Sequence, residues 1–473
     1  PKHISEIAKE LNVNYIVEGS GQKTGDMVLL TVQLIDAKTD KHLLSEQYKR
    51  NADNIIDLQI EVAKTITELI KVKVTPEEKE RIEKLPTQNS AAYDLYTKGN
   101  ELLHESIDND FADDEKLQLA KSNFEKAIEL DNGFALAYAN LSNLYSVFSL
   151  IKDDKYLEEA NKYADLALLA DPQLSETLFA KAIYYYSKKE YDLAIPYLEN
   201  SLHYNPNHYR ATILLQMIYS WNKRNFEKSI EYGLKAIEIP LAEKDSSEKA
   251  LDYISLAETF RYAGFFDRAN ECLNKSKKFI TGRLNTTSAY AWEREELILD
   301  TQSDYKQAKN MMVNLLEKDS STTTIEVMAR NCYFLREWDN AYNYYKKMAN
   351  EETTYLNGRL SFVCMKTGRL QEAETYLKKF EDYINDENPI DKYRFLCQLY
   401  TYQGKQDEAL SSMKSYVTQE NFPYYIIRYF KDEPIYDSIR DLPEFNEILA
   451  DMETNFWANH ERIKANLEKK GLL

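Results

Sequence analysis

From about residue 91 to residue 422, apolar and small residues recur in paired helical stripes rather than in strand-like alternation. A first stripe, Tyr138, Leu141, Ser142 and Tyr145, is spaced three or four residues apart and marks one face of a helix. A second, Ala160, Ala164 and Ala167, follows and ends at Pro172. The next pair repeats the plan with Leu178, Ala182 and Tyr185, then Tyr191, Ala194, Leu198, Ser201 and Pro206, the two prolines lying 34 positions apart. Small residues stand where the two helices of a hairpin cross; large ones would force them apart. Gly264, Gly368 and Gly404 sit between the helices of their own pairs, where a tight turn can require positive φ.

Anchoring on the small residue early in each second helix gives Ala120, Ala160, Ala194, Ser229, Ala269, Ala308, Ala341, Ala373 and Ala409, at spacings of 32 to 40 residues. Nine hairpins are predicted. Their pattern resembles the tetratricopeptide repeat, whose period is about 34 residues. That resemblance implies a mainly α fold, an α-solenoid of stacked hairpins, because one such hairpin cannot cover both of its apolar sides. The sixth hairpin reads weakly, since Glu295 and Glu296 stand where Leu and a small residue are expected, and the fourth has an unsettled register near Gln216 and Met217. Pro196 inside a second helix removes one backbone donor and predicts a local kink.

The first 75 residues follow a different rule. Ile4, Ile7, Ala8 and Leu11 mark a short helix; Tyr15 to Gln22, Met27 to Asp36 and His42 to Lys49 read as strands; a helix from about Asn54 to Val72 carries Ile55, Leu58, Val62, Ile66 and Ile70. In the second strand Val28, Leu30, Val32 and Leu34 share one face. The expected product is a small α+β domain with a three-stranded antiparallel sheet, at residues 1–75. A linker at 76–90, a repeat array at 91–422 and C-terminal capping helices at 423–473 complete the expected organisation. In the cap, Phe445, Ile448, Leu449 and Met452 are expected to cover the last apolar face.

Several words of the small domain, Ile7-Ala8-Lys9-Glu10-Leu11, Tyr15-Ile16-Val17-Glu18-Gly19-Ser20, Gln33-Leu34-Ile35-Asp36 and Ser45-Glu46-Gln47-Tyr48, resemble the TolB amino-terminal-like domain that precedes tetratricopeptide arrays in bacterial regulators. The resemblance continues through Ala92-Tyr93-Asp94-Leu95-Tyr96-x-x-Gly99 and ends at Asp432 to Phe445. It implies a regulatory region whose output module, a winged-helix domain, a nucleotide cyclase or a kinase, lies upstream. Two departures stand out: Leu44 occupies a position where the family usually has Trp, and the first half of the small domain is expected to lie before Pro1.

Composition and charge narrow the function classes. Only 12 glycines and 11 prolines but 36 tyrosines occur in 473 residues, which suits aromatic packing between paired helices. A formal charge of −18 opposes direct binding to a phosphate backbone. No run of about 18 apolar residues predicts a membrane span. The cysteines at 272, 332, 364 and 397 are far apart and read as buried packing residues; free thiols suit a reducing compartment, so a cytoplasmic location is expected.

Signals of chemistry are few. Gly19 to Gly25 is glycine-rich, but it joins two antiparallel strands where a phosphate cradle needs a helix N-terminus, so it reads as a hairpin turn. Asp108 to Glu115 resembles a calcium loop without the central Gly, and Leu119 stands in place of the bidentate Glu; it reads as an acidic entry to a helix. No cofactor, metal site or catalytic group is expected, and the chain reads as non-catalytic. Its reading is a scaffold or sensory array that binds a protein or peptide, with oligomeric state open. Side chains one turn from the packing positions on first helices are the candidate groove residues: Asn143; Phe179, Ile183 and Tyr186; Glu258, Arg261 and Tyr262; Arg330 and Tyr333; Phe362; and Arg394, Gln398 and Tyr402. Such residues are expected to hold a partner while adding little to stacking. At a helix crossing the opposite holds: Ala194→Leu should lower stability by about 1–3 kcal/mol through overpacking, read as the midpoint of urea unfolding.

Overall fold

The computed structural model describes residues 3–4, 8, 13–51, 55–70, 84–107, 113–239, 246–280, 284–348, 354–386, 390–419 and 421–473. Most of the expected N-terminal helix, the linker from 76 to 83 and residues 108–112 of the acidic loop lie outside them. Contacts divide the chain into two compact units, 1–211 and 212–473.

In the first unit, strands β1 (Tyr15–Thr24), β2 (Met27–Asp36) and β3 (Lys41–Asn51) form an antiparallel sheet in that order. Val32, Leu34, Leu44 and Tyr48 pack against Leu58 of α1 (Ile55–Leu69), as the alternation along β2 requires. Thr24 pairs with Met27, so the β1–β2 turn is shorter than expected, and Gly19 belongs to the strand. Gly25 supplies the positive φ of that turn, 60°. At the second turn the Asp36 carboxylate accepts from the backbone N–H groups of Lys38 (3.0 Å) and Thr39 (2.9 Å).

Three hairpins follow in this unit: α2 (Ser90–Ile107) with α3 (Asp114–Leu130), α4 (Ala135–Ile151) with α5 (Tyr156–Ala170), and α6 (Ser175–Ser187) with α7 (Tyr191–Tyr204). The anchors Ala120, Ala160 and Ala194 are fully buried at the crossings. Ser142 on α4 donates its hydroxyl proton to the Ala160 carbonyl (2.7 Å), tying the two helices where they approach. Helix α7 runs through Pro196 unbroken.

The second unit continues the series. Helix α8 (Tyr209–Met217) runs into a π turn, Ile218–Asn222, before α9 (Phe226–Glu238). That wider turn accounts for the unsettled register near Gln216 and Met217. The remaining pairs are α10 (Ser246–Tyr262) with α11 (Phe266–Ser276), α12 (Leu284–Gln302) with α13 (Tyr305–Leu316), α14 (Thr322–Phe334) with α15 (Trp338–Met348), α16 (Asn357–Lys366) with α17 (Leu370–Asp386), and α18 (Lys392–Tyr402) with α19 (Gln406–Val417). Among the described residues nine tetratricopeptide-type hairpins of an α-solenoid thus follow the small α+β domain in the chain. All four cysteines are unpaired and buried, and burial pushes each thiol up, to about 11 at Cys272 and Cys364 and about 12 at Cys332 and Cys397. No helix of the described residues is long and apolar enough to cross a membrane.

Beyond α19 come α20 (Tyr425–Asp432), a 3₁₀ turn (Pro434–Ser438) and α21 (Pro443–Lys469). Phe445, Ile448 and Met452 are buried in the core of the last hairpins. The same helix then runs on past the α10–α11 turn, where the His460 ring nitrogen Nδ1 bonds the Ala263 carbonyl (2.8 Å). Its end, Ile463 and Leu467, packs with Phe226 and Ile230 of α9, and Lys470 pairs with Glu227 (2.9 Å).

Gly264, Gly368 and Gly404 take φ of 84°, 75° and 73°, as their place between paired helices predicts. Lys189 and Ser303 fill the equivalent place in two other hairpins at φ of 60° and 49°, a region that disfavours a side chain. Lys189→Gly should therefore raise stability by about 0.5–1 kcal/mol, the relief of strain less the added freedom of the unfolded chain. Chemical denaturation of the two proteins side by side measures it.

Candidate partner-binding face

In the second unit the candidate residues lie on the first helices of their hairpins: Glu258, Arg261 and Tyr262 on α10, Arg330 and Tyr333 on α14, Phe362 on α16, and Arg394, Gln398 and Tyr402 on α18. They do not line a free trough. Arg261, Arg330, Tyr333, Phe362, Arg394 and Gln398 are buried, and the segment from Tyr424 to Tyr436 covers much of this face. The Tyr424 N–H donates to the Tyr262 carbonyl (3.0 Å), Tyr425 packs on Tyr262 at 5.5 Å between ring centres, and Tyr429 packs on Phe334 at 5.6 Å. Arg261 and Tyr262 thus take part in the packing to which they were expected to add little. Tyr333 and Phe362 pack edge to face at 6.1 Å, and Tyr402 lies half-buried against the same core. Glu258 accepts from the Tyr262 hydroxyl (2.7 Å) and the Trp221 ring N–H (3.0 Å).

Charges in this covered face pair off. Arg261 reaches Glu293 and Asp300, each at 2.6 Å. Arg330 holds Glu295 at 2.6 Å and also Glu296. Arg428, from α20, meets Glu296 at 2.6 Å and Asp300 at 3.2 Å. Farther along, the fully buried Glu433 accepts from Arg359 (2.7 Å) and Gln398 (2.9 Å). Arg394 lies 3.7 Å from Asp391, which also accepts from Arg224 (2.7 Å) and the Tyr416 hydroxyl (3.0 Å). Six guanidiniums face six carboxyls, so Glu295 and Glu296, the residues that weaken the sixth repeat, have their partners on neighbouring hairpins and on α20.

Burial moves these carboxyls unequally. It pushes Glu293 up to about 8 and Glu295 up to about 7, in each case against the pull of the adjacent arginine. Asp300 is raised for the same reason. Burial also opposes charge on Glu296, but Arg330, Arg428 and Arg261 outweigh it and hold that carboxyl below its ordinary range.

The first unit presents its candidates differently. Asn143 on α4, and Ile183 and Tyr186 on α6, are half-buried, while Phe179 is buried and packs its ring at a tilt on His208, 4.9 Å between ring centres. Tyr186 meets Tyr191 edge to face at 5.7 Å. The Asn143 side-chain oxygen is buried and has no hydrogen-bond partner. Burial lowers His208 to about 4, which leaves its ring neutral near pH 7. The same face holds Tyr96 and Asn100 of α2, Asn140 of α4 and Glu176 of α6, none of them among the candidate groove residues; the one-turn offset applied to α2 would have reached the first two. The Asn140 amide donates to the Asn100 side-chain oxygen (3.0 Å), and burial raises the Tyr96 hydroxyl, with the Glu176 carboxylate raising it further.

No protein-family model matches the chain. A stretch of 139 residues, 29% of the chain, is 32% identical to part of a putative adenylate cyclase 3 from Rhizobium meliloti (strain 1021) and spans 23% of that protein's length. Among solved structures, a tetratricopeptide repeat protein from Parabacteroides merdae ATCC 43184 is 16% identical, with a TM-score of 0.41, over 56% of this chain and 99% of that one. The apo form of RapI is 14% identical, with a TM-score of 0.44, over 80% of this chain and 99% of its own. YrrB, described as a TPR protein with an unusual peptide-binding site, is 21% identical over 42% of this chain and 91% of its own, with a TM-score of 0.28.

Proposed function

We propose that this chain is a non-catalytic protein-interaction array, the regulatory region of a larger bacterial signalling or transcription-regulating protein. Its partner, a protein or peptide, docks on the first-helix face of the first unit, at Asn143, Ile183 and Tyr186, beside the buried Phe179. The observation that carries this reading is the contrast between the two faces. In the second unit the first helices are covered by the chain's own residues 424–436, with their charges paired, and in the first unit half-buried amide, aliphatic and aromatic side chains remain. Uncovered groups of that kind supply both contact area and hydrogen bonds to an incoming chain.

A nucleotide cyclase is the output module favoured by one specific observation, the stretch similar to part of a putative adenylate cyclase. In that reading partner capture on the array sets the state of a cyclase domain attached to it.

Ile183→Ala combined with Tyr186→Ala should abolish capture of the native partner in pull-downs while leaving most of the cooperative unfolding intact. Unchanged capture, or loss of fold in parallel with loss of capture, would refute the assignment. The covered face of the second unit makes the opposite kind of prediction. Carboxyls raised in the folded state bind more protons there than in the unfolded chain, so their stabilisation is complete below about 4.5 and is lost as pH rises toward about 8 at Glu293 and about 7 at Glu295. Thermal stability of the second unit should fall between those limits, and Glu293→Gln should flatten the slope; melting curves across that range test it.

A further inference from the structure

On the first-helix face of the first unit, one acid lacks a counter-charge. Glu176 is half-buried near the start of α6 and makes no ion pair among the described residues. Its acidic neighbour Asp171 is already paired with Lys84 at 2.6 Å. Burial raises the Glu176 carboxyl, Asp171 raises it further, and its own backbone N–H only partly offsets both. Beside it stand side chains suited to holding a peptide backbone. Asn140 and Asn100 bond one another at 3.0 Å, and Asn140 also bonds the Tyr96 side chain, which leaves the remaining amide positions of the pair for a ligand. Three residues along α4 from Asn140, the Asn143 carbonyl oxygen is buried without a donor. A buried acceptor left unmade costs about 1–3 kcal/mol, so an arriving N–H group would be favoured there.

Resting on the docking face assigned above, we infer that the partner is an extended peptide segment carrying one Arg or Lys, whose cation pairs with Glu176 while its main chain bonds to the asparagine row of Asn140 and Asn143. Phe179, tilted against His208 and with the Arg210 guanidinium 5.9 Å from its ring centre, bounds the site on the other side. The acid needs no proton transfer or covalent step; recognition is charge against charge over a row of amides.

Panning the full chain against displayed random nonapeptides, followed by synthesis of the selected sequences, tests this. The selected peptides should share Arg or Lys at one position. Glu176→Gln should weaken them about tenfold or more, the scale of one charge-assisted contact, while Glu176→Asp retains binding. In Glu176→Lys the preference at that position should turn to Asp or Glu, with melting curves confirming that each variant folds. Selected peptides without a shared basic residue, or equal binding by Glu176→Gln, would overturn the inference while leaving the docking face standing. Peptides that bind Ile183→Ala/Tyr186→Ala as well as the parent chain, or no selected binder at all, would overturn the face itself.

Discussion

A helical hairpin has two apolar sides and can cover only one by its own folding. Everything else in this chain answers that constraint. Within each hairpin, small anchors such as Ala160, Ala194 and Ala269 are fully buried, which lets the helices approach closely enough for Ser142 to reach the Ala160 carbonyl. Within each unit, one hairpin's outward side becomes the next hairpin's contact. After the ninth hairpin α20, the 3₁₀ turn and α21 take that role through Phe430, Tyr436, Phe445 and Met452, all fully buried. Each such side chain contributes on the order of 1.5–3 kcal/mol by leaving water.

Polar groups inherit the same geometry. First helices carry arginines and acids on the side turned away from their second helices, and in the second unit α20 and its 3₁₀ turn cover that side. Charges removed from water are tolerable only when paired, because removing one partner of a buried pair is strongly destabilising. Arg428 and Glu433 contribute one charge of each sign from the covering segment, so it joins an acid-rich site at α12 to an arginine-rich site at α16 and α18. On this account the covering segment is part of the fold of the second unit, which is why the docking face is proposed on the first unit.

The hairpins were legible in the sequence because their signal is periodic. Small residues at a fixed phase located every crossing, and glycines marked three turns at positive φ. The fourth and sixth hairpins read poorly for identifiable reasons: a π turn at Ile218–Asn222 lengthens one, and Glu295 and Glu296 replace apolar residues in the other. The candidate face was legible only in part. A periodic offset finds side chains on first helices but cannot say what covers them, and Tyr425 to Ser438 belongs to no repeat, so nothing in its spacing announced that it packs on α10, α14, α16 and α18. Glu176 escaped because a lone acid near a helix start looks like an ordinary favourable placement.

Helix α21 gives the second unit a dependence on the order of synthesis. An ordinary stack can settle hairpin by hairpin as it leaves the ribosome, since each contact joins near neighbours. Here Glu227 waits for Lys470, 243 residues later. At about 5–20 residues per second that delay is roughly 12–50 s, during which Phe226 and Ile230 lack the helix that buries them. A nascent chain that stalls within this interval exposes an apolar seam, a natural target for holding chaperones until translation resumes.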